Sequence, residues 1–307
     1  MASVNRCHTR RPPDIAFLAT GPQIGAMPPP VPPVHPLKGA LVEQVRALFN
    51  DRAAGEAPVE RSDDALFAPD SVVWRVHGDV AAMMVGGIAA LLLQMLHPRV
   101  LAGVWDHSNF RADMLGRLRR TARFIALTTY GPRDQAEAAI ARVRRIHHGV
   151  RGALPDGTPY AADDPSLLAW VHVTEMHSFL AGWRRYGDPA MTGQAQDRYF
   201  AEVARIGRAL GADPVPETRV HAETLMQAMR PQLRADARTR EVVRILRESA
   251  APGMAAHALQ AFAFQAAVDL LPGWARRLHG LAAPRLALPV IRAGTFGVAE
   301  TLRWAFR

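Results

Sequence analysis

The sequence predicts an all-α fold in one main domain, on three observations. From Lys38 onward almost every segment places apolar residues at helical spacing. Glycine and proline separate these segments at regular intervals. No stretch alternates β-branched residues in the way a half-buried strand does.

The helical runs in chain order are 39–50, 79–97, 112–130, 134–151, 165–186, 195–210, 218–229, 237–249, 255–271 and 290–306. Pro98, Gly131-Pro132, Gly187, Gly211, Pro231, Gly253 and Pro272 separate them. Residues 1–37 hold a proline cluster (Pro28, Pro29, Pro30, Pro32, Pro33, Pro36) without apolar periodicity, and read as a disordered leader. Domain 38–307 follows it. Met27 is an alternative start. Arg10-Arg11 resembles a twin-arginine export signal, but Pro12-Pro13 and no apolar stretch follow, so secretion is not expected and a cytoplasmic location is.

Val80–Leu96 is apolar except for Gln94. It stops just short of the roughly 18 apolar residues that argue for a membrane span, and Gly86-Gly87 interrupts it. The reading is therefore a buried central helix with no transmembrane segment. The glycine pair lets a helix or a flat ligand approach the backbone.

Composition narrows the chemistry. Of 307 residues, 49% are hydrophobic, enough for a substantial core. The only cysteine is Cys7, which excludes a disulfide framework and a cysteine-bound zinc or iron–sulfur site. The net charge of +9 comes from scattered arginines, with Lys38 the sole lysine. Without a basic run, nucleic acid is not an expected partner.

One helix carries the chemistry. In 134–151, Ala136, Ile140, Val143, His147 and Val150 recur at steps of four and three, forming one inward stripe. Arg144 and Arg151 flank His147 on that side. Buried cationic and polar groups need partners, and an iron porphyrin supplies them: iron for the imidazole, propionates for the arginines. The same spacing also fits a hydrogen-bonded core histidine on a helix whose arginines reach water.

In the preceding helix, Arg117, Arg120, Thr121, Phe124 and Thr128 share a face that either lines a pocket or is solvated. The turn at Gly131-Pro132 makes the two helices adjacent and antiparallel. In 165–186, His172, Glu175 and Phe179 share a face, with His177 on another. A non-haem metal is an alternative there, although neither a repeated Glu-x-x-His nor His-Glu-x-x-His occurs. His172 is kept as a cofactor-side candidate. His97 faces the same pocket or is a satisfied core residue.

Four stretches, LLLQMLHPRVLAGVWDHSNF, GRLRRTARFIALTTYG, ARVRRIHHGVRG and YAADDPSLLAWVHVTEMHSFL followed by YGDP, occur in one order. Together they resemble the family of the mycophenolic-acid-pathway oxygenase and the latex-clearing rubber oxygenases. Weaker similarity runs from about residue 70 to the C-terminus. The resemblance implies a globin-like helical core around one b-type haem. It also implies dioxygen-dependent oxidation or cleavage of a carbon–carbon double bond in a hydrophobic, isoprenoid-like small molecule, with an electron donor as a further partner. The rubber oxygenases carry a distal Arg-x-x-Lys-Thr motif, which falls here on Arg117, Arg120 and Thr121. Their proximal Arg-x-x-His-x-x-x-Arg motif falls on Arg144, His147 and Arg151. His147 is the implied iron ligand, with Arg117 and Thr121 assisting at the oxygen side.

One departure is chemical. The family lysine that can occupy the sixth iron position is Arg120 here, and a guanidinium offers no lone pair to a metal. The family's upstream catalytic glutamate has no counterpart we assign, and rubber itself is not an expected substrate. A haem carrier, a gas sensor and a cofactor-free interaction protein are the competing readings.

Overall fold

A computed structural model describes residues 57–248, 254–282 and 286–306, together with 38–39 and 42–43. The leader 1–37 lies outside the described residues. Of the run 39–50, only 39, 42 and 43 are described, and they are helical. In chain order the elements are α1 (Val72–His77), α2 (Val80–Gln94), α3 (Pro98–His107), α4 (Met114–Tyr130), α5 (Arg133–His148), β1 (Arg151–Ala153), β2 (Pro159–Ala161), α6 (Pro165–Tyr186), α7 (Gly193–Leu210), α8 (Arg219–Met229), α9 (Ala237–Glu248), α10 (Met254–Leu270), α11 (Gly273–His279) and α12 (Leu288–Phe306). The fold is all-α, as the sequence predicts.

Side-chain caps start many of these helices. Ser71, Asp79, Asp113, Asp164, Thr192 and Thr218 each accept a hydrogen bond from a first-turn backbone N–H. Each cap satisfies a donor that the helix cannot pair internally.

The core is built on α2 against α6. They run antiparallel: Gly182 faces Ala82 at one end, and Gln94 meets Trp170 and Val171 at the other. A Cβ on Gly86 would lie 2.9 Å from the Ser178 carbonyl oxygen, and one on Gly182 2.6 Å from that of Ala82. Both positions need glycine because backbone approaches backbone there. Of the two occupants the sequence allowed beside Gly86, the structure shows a helix. Gln94 is buried, yet its side-chain amide donates to the Val171 main-chain carbonyl at 3.3 Å, and its main-chain carbonyl accepts from the Trp170 indole at 3.4 Å.

Around this pair pack α7, α8 and α10, while α12 lies on α2 and α10. Buried carboxylates fasten α12. Asp79 accepts from Arg303 at 2.6 Å while still capping α2, and Asp269 accepts from Arg185 and, at 2.8 and 2.9 Å, from Arg292.

Four local expectations are corrected. Pro98 opens α3 as its first residue instead of only ending α2, since proline suits the first helical turn. The short helices α1 and α11 were not anticipated. The helix expected over 134–151 ends at His148, where Gly149 caps it. Arg151 therefore begins β1, paired antiparallel with β2 in a small hairpin. No single described helix is long and apolar enough to cross a membrane.

Candidate active site

A narrow cleft with a cavity volume of about 60 Å³ lies among α4, α5, α6 and α7. Its walls are mostly apolar: Phe67, Phe124, Ile125, Leu168, Val171, Met176, Val203, Ile206 and Leu210. Into this lining project three histidines and one carboxyl group, His77, His147, His172 and Glu175.

His147 arrives as its stripe predicts. Ala136 and Ile140 are buried, and Val143 and His147 are half-buried as α5 runs toward the surface. Its Nδ1 is buried without a hydrogen-bond partner. Burial lowers its pKa, nearby Arg117 acts in the same direction, and Asp163 opposes them. The ring is therefore neutral at neutral pH, and a neutral imidazole keeps a lone pair for a metal.

His172 comes from the buried face of α6 and is 6% exposed. Its Nε2 also has no partner, and burial pushes its pKa down to about 4. Gly207 of α7 makes room for the ring, since a Cβ there would sit 2.9 Å from the imidazole Cδ2. Glu175, one turn along the same face, is raised by burial to about 7 and is substantially protonated near neutral pH.

His77 differs because both its nitrogens are engaged, with the Thr129 hydroxyl at 2.9 Å and the Tyr199 hydroxyl at 2.9 Å. Burial pushes its pKa down to about 3. Thr128 is likewise satisfied, donating to the Phe124 carbonyl at 2.9 Å.

The remaining expected residues lie farther out. Arg117 is half-buried, donates to Ser108 Oγ at 3.2 Å and acts on His147 electrostatically without lining the cleft. Arg120 is exposed and pairs with Asp113 at 3.4 Å, and exposed Thr121 donates to the Arg117 carbonyl at 3.2 Å. From α4 it is Phe124, Ile125, Thr128 and Thr129 that reach the cleft.

Arg144 and Arg151 were expected to point inward and are exposed. Arg144 lies 60° around the helix from His147, on the solvent side. Arg151 leaves the helix altogether and donates to Asp163 at 2.6 Å. His97 is buried away from the cleft lining, its Nε2 within 3.3 Å of Gln232 Oε1.

Sequence reasoning missed His77, because α1 is too short to show a period, and Gly207, whose role exists only once α7 meets α6. The unequal burial of Thr128 and Thr129 relative to Thr121 was also not visible. Among the described residues no three His, Cys, Asp or Glu side chains are grouped to hold a metal ion, so the alternative of a non-haem metal gains no ligand set.

No protein of curated function and no solved structure matches the chain. Residues 74–304 match the family described as ER-bound oxygenase mpaB/B'/Rubber oxygenase, catalytic domain. That span contains α2 to α11, most of α12 and every cleft-lining residue except Phe67. The chain belongs to this family and is an oxygenase catalytic domain, hence an oxidoreductase.

Proposed function

We propose that the domain is a haem-b-dependent oxygenase that oxidises, or cleaves at a double bond, a hydrophobic isoprenoid-like molecule. The observation that carries this reading is His147: a neutral imidazole with a buried, unpartnered nitrogen at the wall of an apolar cleft. Leaving a buried polar atom unpaired costs roughly 1–3 kcal/mol, so its retention points to a ligand. Imidazole suits iron and the walls are apolar as a porphyrin's faces are, although the cavity of about 60 Å³ would have to widen to take one.

His147 would hold the iron. Arg144, which makes no hydrogen bond or ion pair among the described residues, and Arg151 would meet the propionates at the exposed rim. When bound, the haem supplies the dioxygen chemistry.

The chain's own residues set the conditions. The apolar walls hold a hydrophobic substrate and exclude water. Arg117 places positive charge near His147 and favours charge that turns negative during reaction. Thr121 follows Arg117 on the same helix and matches the family motif, which has lysine where Arg120 stands. The Glu175 carboxyl is a proton source inside the cleft, and hydrogen bonds to Thr129 and Tyr199 hold His77 in its wall.

Dioxygen consumption by the haemin-loaded protein under reduction tests the reaction class, with squalene and its saturated counterpart squalane as probes. Uptake with squalene alone is expected. Equal uptake with both would show that no double bond is being attacked.

A further inference from the structure

All but two of the large apolar side chains left exposed among the described residues, Ile146 and Val220, lie between Leu259 and Trp304. α12 is the centre of this surface. Its inner face buries Ile291, Thr295, Ala299 and Leu302 against the rest of the chain. Its outer face, Pro289, Ala293, Phe296, Gly297, Glu300 and Trp304, is exposed and carries a single charge. That charge, Glu300, is neutralised by Arg303 of the same helix. Val290 is 66% exposed, and Phe262 of α10 lies beside Gly294, so the apolar surface continues onto α10. A helix apolar on both faces belongs in an interior, and a contiguous exposed apolar face marks a contact surface. Neither α10 nor α12 lines the cleft, so this surface is independent of the haem reading.

The helix midpoint joins a projection to a bare backbone. α12 runs from Leu288 to Phe306, and Phe296 and Gly297 stand at its centre. Phe296 is 47% exposed, and a Cβ on Gly297 would meet nothing within 4 Å. Glycine weakens a helix interior relative to alanine, and no neighbour inside the chain requires it there. A second backbone coming close from outside does. In two antiparallel helices related by a two-fold axis between these residues, Phe296 of each falls opposite Gly297 of the other. The same axis sets Pro289 opposite Trp304 and Ala293 opposite Glu300, so ring meets ring and the carboxylate meets a small side chain. One sequence therefore supplies both halves of the contact, as an isologous interface demands. An anionic bilayer would instead meet a carboxylate on this face, with both arginines of the helix already paired, Arg292 with Asp269 and Arg303 with Asp79.

We propose that two copies of the chain associate through α12, antiparallel about a two-fold axis at the Phe296–Gly297 step. Each Phe296 lies on the other copy's helix backbone at Gly297, and Val290 and Phe262 close the margin. With 19 residues the helix is about 28 Å long, and the contact runs along it. A bulky side chain or a charge at its centre holds the two backbones apart.

The experiment measures the mass of the full chain in solution, by light scattering and sedimentation velocity over a dilution series. Wild type is expected to have the mass of two chains and to dissociate on dilution. Gly297→Leu places its side chain in space that is open within the chain. It is expected to keep the wild-type circular dichroism and to run as one chain. Phe296→Asp, a second variant at an exposed position, is expected to do the same. A two-chain mass that survives in either folded variant overturns the proposal, because the contact then lies elsewhere. A wild type of one chain at every concentration also overturns it, and its flotation with phosphatidylserine vesicles would assign the face to lipid instead.

Discussion

Ionising Glu175 puts a carboxylate against apolar walls, and burial raises its pKa from 4.5 to about 7. The shift corresponds to about 3 kcal/mol at most. A carboxyl whose folded pKa is raised binds more protons folded than unfolded, so this contribution to stability falls as pH rises from about 4.5 to 7. Glu175→Gln should flatten that fall and give a higher denaturant midpoint than wild type at pH 8, with little difference at pH 4. An unchanged midpoint at pH 8 would show a solvated carboxylate.

The histidines act in the opposite sense. His77, His172 and His177 are pushed down to about 3, 4 and 4 by burial. The unfolded chain therefore takes up more protons than the folded one below about 6.5. Stability should fall as pH drops from there toward 4. His172→Phe should remove part of that acid sensitivity in a pH series of thermal unfolding. Gly207→Ala should instead crowd the His172 ring, costing on the order of 1–3 kcal/mol.

At the scale of elements, the α2–α6 contact is least tolerant of added volume. A methyl at Gly182 would enter the Ala82 carbonyl, and backbone cannot step aside as a side-chain tip can. Gly182→Ala should lower stability by about 1–3 kcal/mol or more, read as a lowered denaturant midpoint. The same change at Gly297, which has open space around it, should be close to neutral. Asp79 serves two elements, capping α2 and pairing with Arg303 of α12.

The long helices were legible because breakers and periodicity agree over many residues. α1 and α11 span less than two turns, too short for a period to appear. Pro98 carries two meanings, stop and first-turn start, and local sequence does not separate them. His147 was legible because its stripe is local to α5. The exposure of Arg144 and Arg151 was not, because it depends on where Gly149 ends the helix and on how far α5 has emerged from the core.

For the whole molecule, the site is a product of long-range assembly. Residues from α1, α4, α5, α6 and α7 meet at one cleft, so sequence alone could nominate His147 and His172 but not Gly207 or His77. The arginines behind the +9 charge are spread through the sequence, and several are paired with carboxylates. What unites the assembly is an apolar interior that lowers the pKa of its imidazoles and leaves one nitrogen each of His147 and His172 without a partner at the cleft.

The central claim is that His147 holds a haem. Its most direct test is the absorption spectrum of protein purified from cells supplied with a haem precursor, wild type beside His147→Ala. An intense Soret band at one haem per chain is expected in the wild type, shifted and much reduced in the variant. A band of the same position and intensity in both, or no band in the wild type, would contradict it.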